Sequence, residues 1–248
     1  MFKKILALFA YIAMIVVNFL ATSLPINNRS TGEISDAYSN LFAPAGIAFS
    51  IWGLIYLLLA IYVVYQFKSK NEGLLKKINL LFIITSIANI LWIFAWHYDY
   101  IAISLVLILV LLLGLIKIAD IIRLNNLTKE EKRFIGIPFS VYFGWITVAT
   151  IANITVYLVS INWGGLGLPD FIWTTVVLII GAIIGILRMS KDKSVAYGLV
   201  LVWAYLGILL KHLSTDGFAG QYPIIIYTLI ICLVLFVISI GRMAVRNK

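Results

Sequence analysis

IAISLVLILVLLLGLI, residues 101–116, contains no charged side chain and a single hydroxyl. As a helix rising 1.5 Å per residue it covers about 24 Å, most of the hydrocarbon core of a bilayer. Backbone groups in hydrocarbon must be satisfied inside the segment, which a helix achieves and an open strand does not. Residues 176–187 and 224–240 are likewise free of charge. Working outward, the 248-residue chain is 63% hydrophobic and only 12% charged, with a mean hydropathy of +1.07, which excludes an ordinary soluble domain. A closed barrel would show short alternating segments, whereas these runs are continuous. The fold class is therefore all-α, a polytopic transmembrane helix bundle.

Eight spans are expected, near residues 4–23, 44–67, 78–97, 101–122, 134–159, 171–188, 195–212 and 223–240. Basic residues test the count, because Lys and Arg near span ends are retained in the cytoplasm. With the amino terminus inside, one face collects Lys3 and Lys4, the bases of 68–77, 117–133 and 188–193, and Arg242, Arg246 and Lys248. Only Arg29 and Lys211 of the 19 fall outside, and an odd span count would scramble that alternation. Both termini are thus expected in the cytoplasm, in a multi-pass protein of the cell membrane. The net charge of +9 then reads as a positive-inside surface facing anionic lipid, with no nucleic-acid partner implied. MFKK followed by an apolar run and Ala21-Thr22-Ser23 has the outline of a signal peptide, but the run outlasts a signal core and is expected to be retained. Cys232 lies mid-span, where packing is its expected role.

The longest outer loop is residues 24–43. Ser30 and Glu33 have capping-box spacing, and Ile34, Ala37, Tyr38 and Leu41 follow at helical intervals. A short amphipathic helix is expected there, lying on lipid headgroups or closing a cavity. Gly181 and Gly185 permit a close helix approach.

Polar and aromatic groups inside the spans carry the functional signal, because each costs free energy without a partner. Asn18, Asn89 and Asn153 fall in the outer halves of three spans, and Phe49, Trp52 and Tyr56 in the outer half of a fourth. The inner halves read as mostly Leu, Ile, Val and Ala. Ala45, Phe49, Trp52 and Tyr56 share one helix stripe, with Pro44 tolerated in the first turn. An interfacial aromatic belt accounts for a Trp at a span end, but Trp52, Tyr56 and Trp145 sit deeper. Flat rings with a few amides suit a planar or polycyclic apolar ligand.

Pro44, Trp52 and Tyr56 keep the order and spacing of a proline followed by W-x-x-x-Y. Asn89, Trp92 and Trp96 match N-x-x-W-x-x-x-aromatic, and Tyr142, Trp145, Ala149 and Asn153 match Y-x-x-W-x-x-x-A-x-x-x-N. In these three motifs the sequence resembles the TspO/MBR family of tryptophan-rich sensory proteins, which includes the mitochondrial translocator protein. The resemblance covers residues 1–160. It implies a five-helix bundle whose outer loop closes a pocket for tetrapyrroles or, in some members, sterols. Residues 161–248 would add three further spans. Ala43, Gly46 and Ser50 stand where the family often has proline, tryptophan and proline, which widens the pocket mouth and removes a stacking surface.

The expected ligand-binding residues are Phe49, Trp52, Tyr56, Asn89, Trp92, Trp96, Tyr142, Trp145 and Asn153, with the amides of Asn18, Asn89 and Asn153 expected either to meet polar groups of the ligand or to bond across helices. The expected partners are membrane lipid and a hydrophobic small molecule, with a homodimer left open. No cofactor is required; a porphyrin or haem-like molecule would enter as the ligand, for sensing or transport. Two alternatives stand beside this: a secondary transporter using all eight spans, and a membrane enzyme in which His97, Asp99, His212 and Asp216 converge. No metal ligands, nucleophile motif, phosphate loop or paired intramembrane carboxylates are expected. Asp120, three residues from both Lys117 and Arg123, reads as a snorkelling ion pair. Val63-x-Tyr65-x-x-Lys68 matches a cholesterol-type pattern but reads as interfacial anchoring.

Overall fold

The computed structural model describes residues 1–24 and 26–246; Lys248 of the basic face lies outside them. Among the described residues eight helices are long and apolar enough to cross a membrane, as the sequence indicates. In chain order α1 is Phe2–Ser23, α2 is Thr31–Ala37 and α3 is Ile51–Tyr65. Next come α4 (Glu72–His97), α5 (Ile101–Leu124) and the single turn α6 (Lys129–Glu131), which passes through a π turn at Lys132–Gly136 into α7 (Ile137–Ser160). The last three are α8 (Asp170–Asp192), α9 (Val195–Leu213) and α10 (Pro223–Arg246).

Five helices close a ring in the order α1, α3, α7, α5, α4. The remaining three form a buttress: α9 packs along α7, α10 packs on α9 and α8, and α8 touches α7. In lipid, apolar surface alone does not drive helices together, so close packing and small residues matter most. A Cβ on Gly185 would lie 2.5 Å from Leu201, and one on Gly181 would lie 2.9 Å from the Tyr205 hydroxyl, so this glycine pair seats α8 against α9. On α10 the buried side chains Ile225, Leu229, Cys232 and Phe236 form one stripe, with Ile231, Val234 and Val237 turned outward.

Two helix starts differ from the sequence reading. The chain does not enter α3 at Pro44; residues Gly46–Ser50 form a 3-10 turn first. Backbone ties to α9 explain this, since the Ala45 N–H donates to the Gly207 carbonyl at 2.9 Å and Trp203 Nε1 donates to the Ala48 carbonyl at 3.0 Å. A Cβ on Gly207 would meet that of Ala48 at 2.7 Å, so only glycine allows the approach. α4 begins at Glu72, earlier than expected, because the Asn71 side chain accepts from the Leu74 N–H and caps it.

Candidate functional site: an aromatic cluster beneath a tied-down lid

Residues 26–43 form a lid over one end of the five-helix ring. Ser30 accepts from the Glu33 N–H while Glu33 accepts from the Ser30 N–H, the capping box read from the sequence, and these bonds hold the Glu33 carboxyl below its ordinary range. One side of the lid is tied to the end of α4. Asn27 donates to the His97 carbonyl at 2.9 Å, Trp96 Nε1 to the Thr31 carbonyl at 3.1 Å, and Arg29 pairs with Asp99. The other side is tied to the end of α9 through Lys211 with Asp36 and His212 Nε2 with the Leu41 carbonyl at 2.9 Å.

Beneath the lid the rings gather around Trp52. Tyr56 stacks on it at 5.5 Å. Trp92, Tyr142 and Trp145 surround it at 6.4, 6.1 and 6.3 Å. Phe49 meets Trp145 edge-on at 6.0 Å, and Trp96 stacks on Trp92 at 5.5 Å. Three separated sequence motifs therefore deliver one cluster, with Trp52 and Tyr56 half-buried and Trp92, Trp96, Tyr142 and Trp145 buried. Two cavities, of about 980 and 1490 Å³, lie elsewhere, lined by other residues.

Within this cluster four polar atoms lack partners. Asn89 Nδ2, Trp92 Nε1, the Tyr142 hydroxyl and Trp145 Nε1 are buried and make no hydrogen bond among the described residues. Asn89 lies beside Tyr142 without bonding geometry; its Oδ1 accepts from Asn18 Nδ2 at 2.7 Å. Such groups cost roughly 1–3 kcal/mol each when left unpaired. Indole and carboxamide nitrogens only donate, so the cluster asks for acceptors.

Asn153 takes the cross-helix bond, one of its two expected roles. Its Oδ1 and Nδ2 both engage the Ser104 hydroxyl, at 3.3 and 3.2 Å, and it ties α7 to α5. The histidines and acids do not pair as the sequence spacing suggested. His97 Nδ1 donates to the Ile93 carbonyl at 2.8 Å, Asp99 bonds Arg29 and Tyr38, and Asp216 accepts nothing from either histidine. No group of three or more His, Cys, Asp or Glu suited to a metal occurs among the described residues.

Sequence reading missed a second polar assembly at the basic end, where the inner half-spans were read as aliphatic. The Tyr62 hydroxyl donates to Asn79 Oδ1, Asn79 Nδ2 to Gln66 Oε1 at 2.8 Å, and Gln66 Nε2 to the Lys4 carbonyl at 3.2 Å. Lys4 Nζ reaches Glu72 at 2.6 Å. Asp120 also has other company: Arg123 at 3.3 Å and, from α8, Arg188 at 3.0 Å, rather than Lys117. Tyr65 of the cholesterol-type pattern packs on Phe134 at 5.0 Å.

A family model described as "TSPO-like protein" matches residues 4–242, so the likeness extends past residue 160 through the last three spans. No curated protein and no solved structure matches the chain.

Proposed function

Since the chain belongs to the TSPO-like protein family, we propose that this multi-pass membrane protein binds a planar hydrophobic ligand, a tetrapyrrole or similar molecule, beneath its lid, for sensing or transport. The observation that carries the proposal is the set of four unpartnered buried polar groups on Asn89, Trp92, Tyr142 and Trp145, gathered around Trp52. A ligand with a flat apolar body and acceptor atoms at its edge satisfies both features at once. Trp52 is the only half-buried tryptophan of the cluster; its ring gives way to the incoming molecule, and the lid, held by a few bonds at each side, opens for entry. Charge placement orients the chain with both termini and the basic loops in the cytoplasm, so the lid faces outward across the cell membrane.

Titration of the purified protein with protoporphyrin, followed by quenching of tryptophan fluorescence, tests this. Trp52→Ala removes the central ring, and Trp145→Phe removes a donor while keeping an aromatic face. Each is expected to weaken binding roughly tenfold or more, since about 1.4 kcal/mol corresponds to a factor of ten. Unchanged titration curves in both variants overturn the assignment.

A further inference from the structure

The larger cavity, about 1490 Å³, is a groove between α3 and α9 floored by α7, and neither the lid nor the aromatic cluster contributes to it. Its two ends differ in chemistry. At the basic end Arg123, Lys132, Lys191 and Lys193 line the opening, together with one carboxylate, Asp192. Asp192 is already engaged by Arg188 at 2.6 Å and lies 3.6 Å from Arg123, and Lys191 is 4.0 Å from Asp120. Lys132 and Lys193 have no ion pair among the described residues, so the opening keeps uncompensated positive charge.

From there the groove runs along an apolar wall of Leu54, Leu58, Leu199 and Val200 and stops at Trp203, whose indole is fixed to the Ala48 carbonyl. From Val195, the first residue of α9 and two beyond Lys193, to Trp203 the helix advances eight residues, a rise of about 12 Å. That is close to the depth of one leaflet, half of the roughly 30 Å hydrocarbon thickness. Leu54 and Leu199 are largely exposed along this wall, so the groove is open sideways to acyl chains.

We propose that this groove is a binding site for one anionic phospholipid of the basic-end leaflet, with its phosphate among Lys132, Lys191, Lys193 and Arg123 and an acyl chain along the α3 and α9 wall as far as Trp203. Basic pockets between transmembrane helices at the cytoplasmic side suit anionic headgroups. The apolar wall leading away from the charges separates this site from an ordinary basic surface. The lipid would join the five-helix ring to the buttress, because the groove is where α3 and α9 stand apart below their junction at Ala48.

The test uses the full chain in phosphatidylcholine nanodiscs with and without phosphatidylglycerol, scored by lipid retained in native mass spectrometry and by thermal unfolding. Phosphatidylglycerol is expected to be retained and to raise the unfolding temperature. The triple variant Lys132→Gln, Lys191→Gln, Lys193→Gln should weaken that binding by on the order of 100-fold, at roughly fivefold per lysine. Lys3→Gln, Lys76→Gln, Lys77→Gln removes equal charge from the same end outside the groove and should retain the lipid. Leu199→Trp, which fills the wall and leaves every charge in place, should lose it. Equal loss in both lysine triples reduces the effect to general surface charge and overturns the site. So does retention in Leu199→Trp, or equal stabilisation by glycerol phosphate, which would make the occupant a soluble anion.

Discussion

The two ends of the five-helix ring bury comparable numbers of polar groups and treat them differently. At the basic end Tyr62, Asn79, Gln66 and the Lys4 carbonyl form a continuous chain of hydrogen bonds. At the lid end Asn89, Trp92, Tyr142 and Trp145 leave polar atoms unpaired, three of them on rings that surround Trp52. A satisfied network rigidifies the bundle and needs no ligand. An unsatisfied one stores an unmet demand, which is why the lid end carries the functional proposal even though both regions are equally buried.

The comparison breaks most sharply at Asn79. Asn79→Ala removes two bonds and strands the Tyr62 hydroxyl and the Gln66 carbonyl in the interior, with an expected loss of about 2–4 kcal/mol of stability and no change in porphyrin affinity. Thermal unfolding in detergent together with the porphyrin titration measures both quantities, and a stable Asn79→Ala protein would show that the network is dispensable. A smaller effect is expected for the lid ties. Arg29→Ala and Lys211→Ala each remove an ion pair at the exposed surface, at about 0–1 kcal/mol. Their signature is kinetic: faster association of porphyrin in stopped-flow mixing, with little change in unfolding temperature. Unaltered association rates in the double variant would remove the lid from the entry route.

How much of this the sequence displayed depends on the range of each interaction. The eight spans follow from runs of uncharged residues, and the Ser30–Glu33 box and the Gly181/Gly185 seat follow from spacings of three and four. The aromatic cluster was legible because three short motifs each place a ring on a helix face in the outer half. Pairing was not legible. The partner of Asn153, Ser104, lies 49 positions away, and Asp120 finds Arg188 68 positions away. Gln66 sits at a span edge, where an amide is unremarkable, and becomes informative only once Lys4 and Asn79 are seen on either side. The 3-10 entry to α3 depends on Gly207 and Trp203, which lie in spans that the motif resemblance did not reach.

A stability effect just as modest is the most discriminating, because its expected direction differs between the two regions. Tyr62 and Tyr142 are both fully buried tyrosines on the ring's inner side, and replacement by phenylalanine deletes one oxygen from each. In Tyr62→Phe the lost hydroxyl was bonded to Asn79, so an acceptor is orphaned and stability falls by about 1 kcal/mol. In Tyr142→Phe the hydroxyl had no partner, so nothing is orphaned and the desolvation cost of a buried polar atom disappears. The ligand-free protein should therefore be unchanged or slightly more stable, by up to about 1 kcal/mol. The same variant should bind porphyrin more weakly, because the hydroxyl is then missing where acceptors arrive. Stability and affinity moving in opposite directions at Tyr142, and stability alone moving at Tyr62, is the pattern that distinguishes a site from a support; a loss of stability at Tyr142 with affinity intact would assign that hydroxyl to packing and leave the lid end without its distinguishing feature.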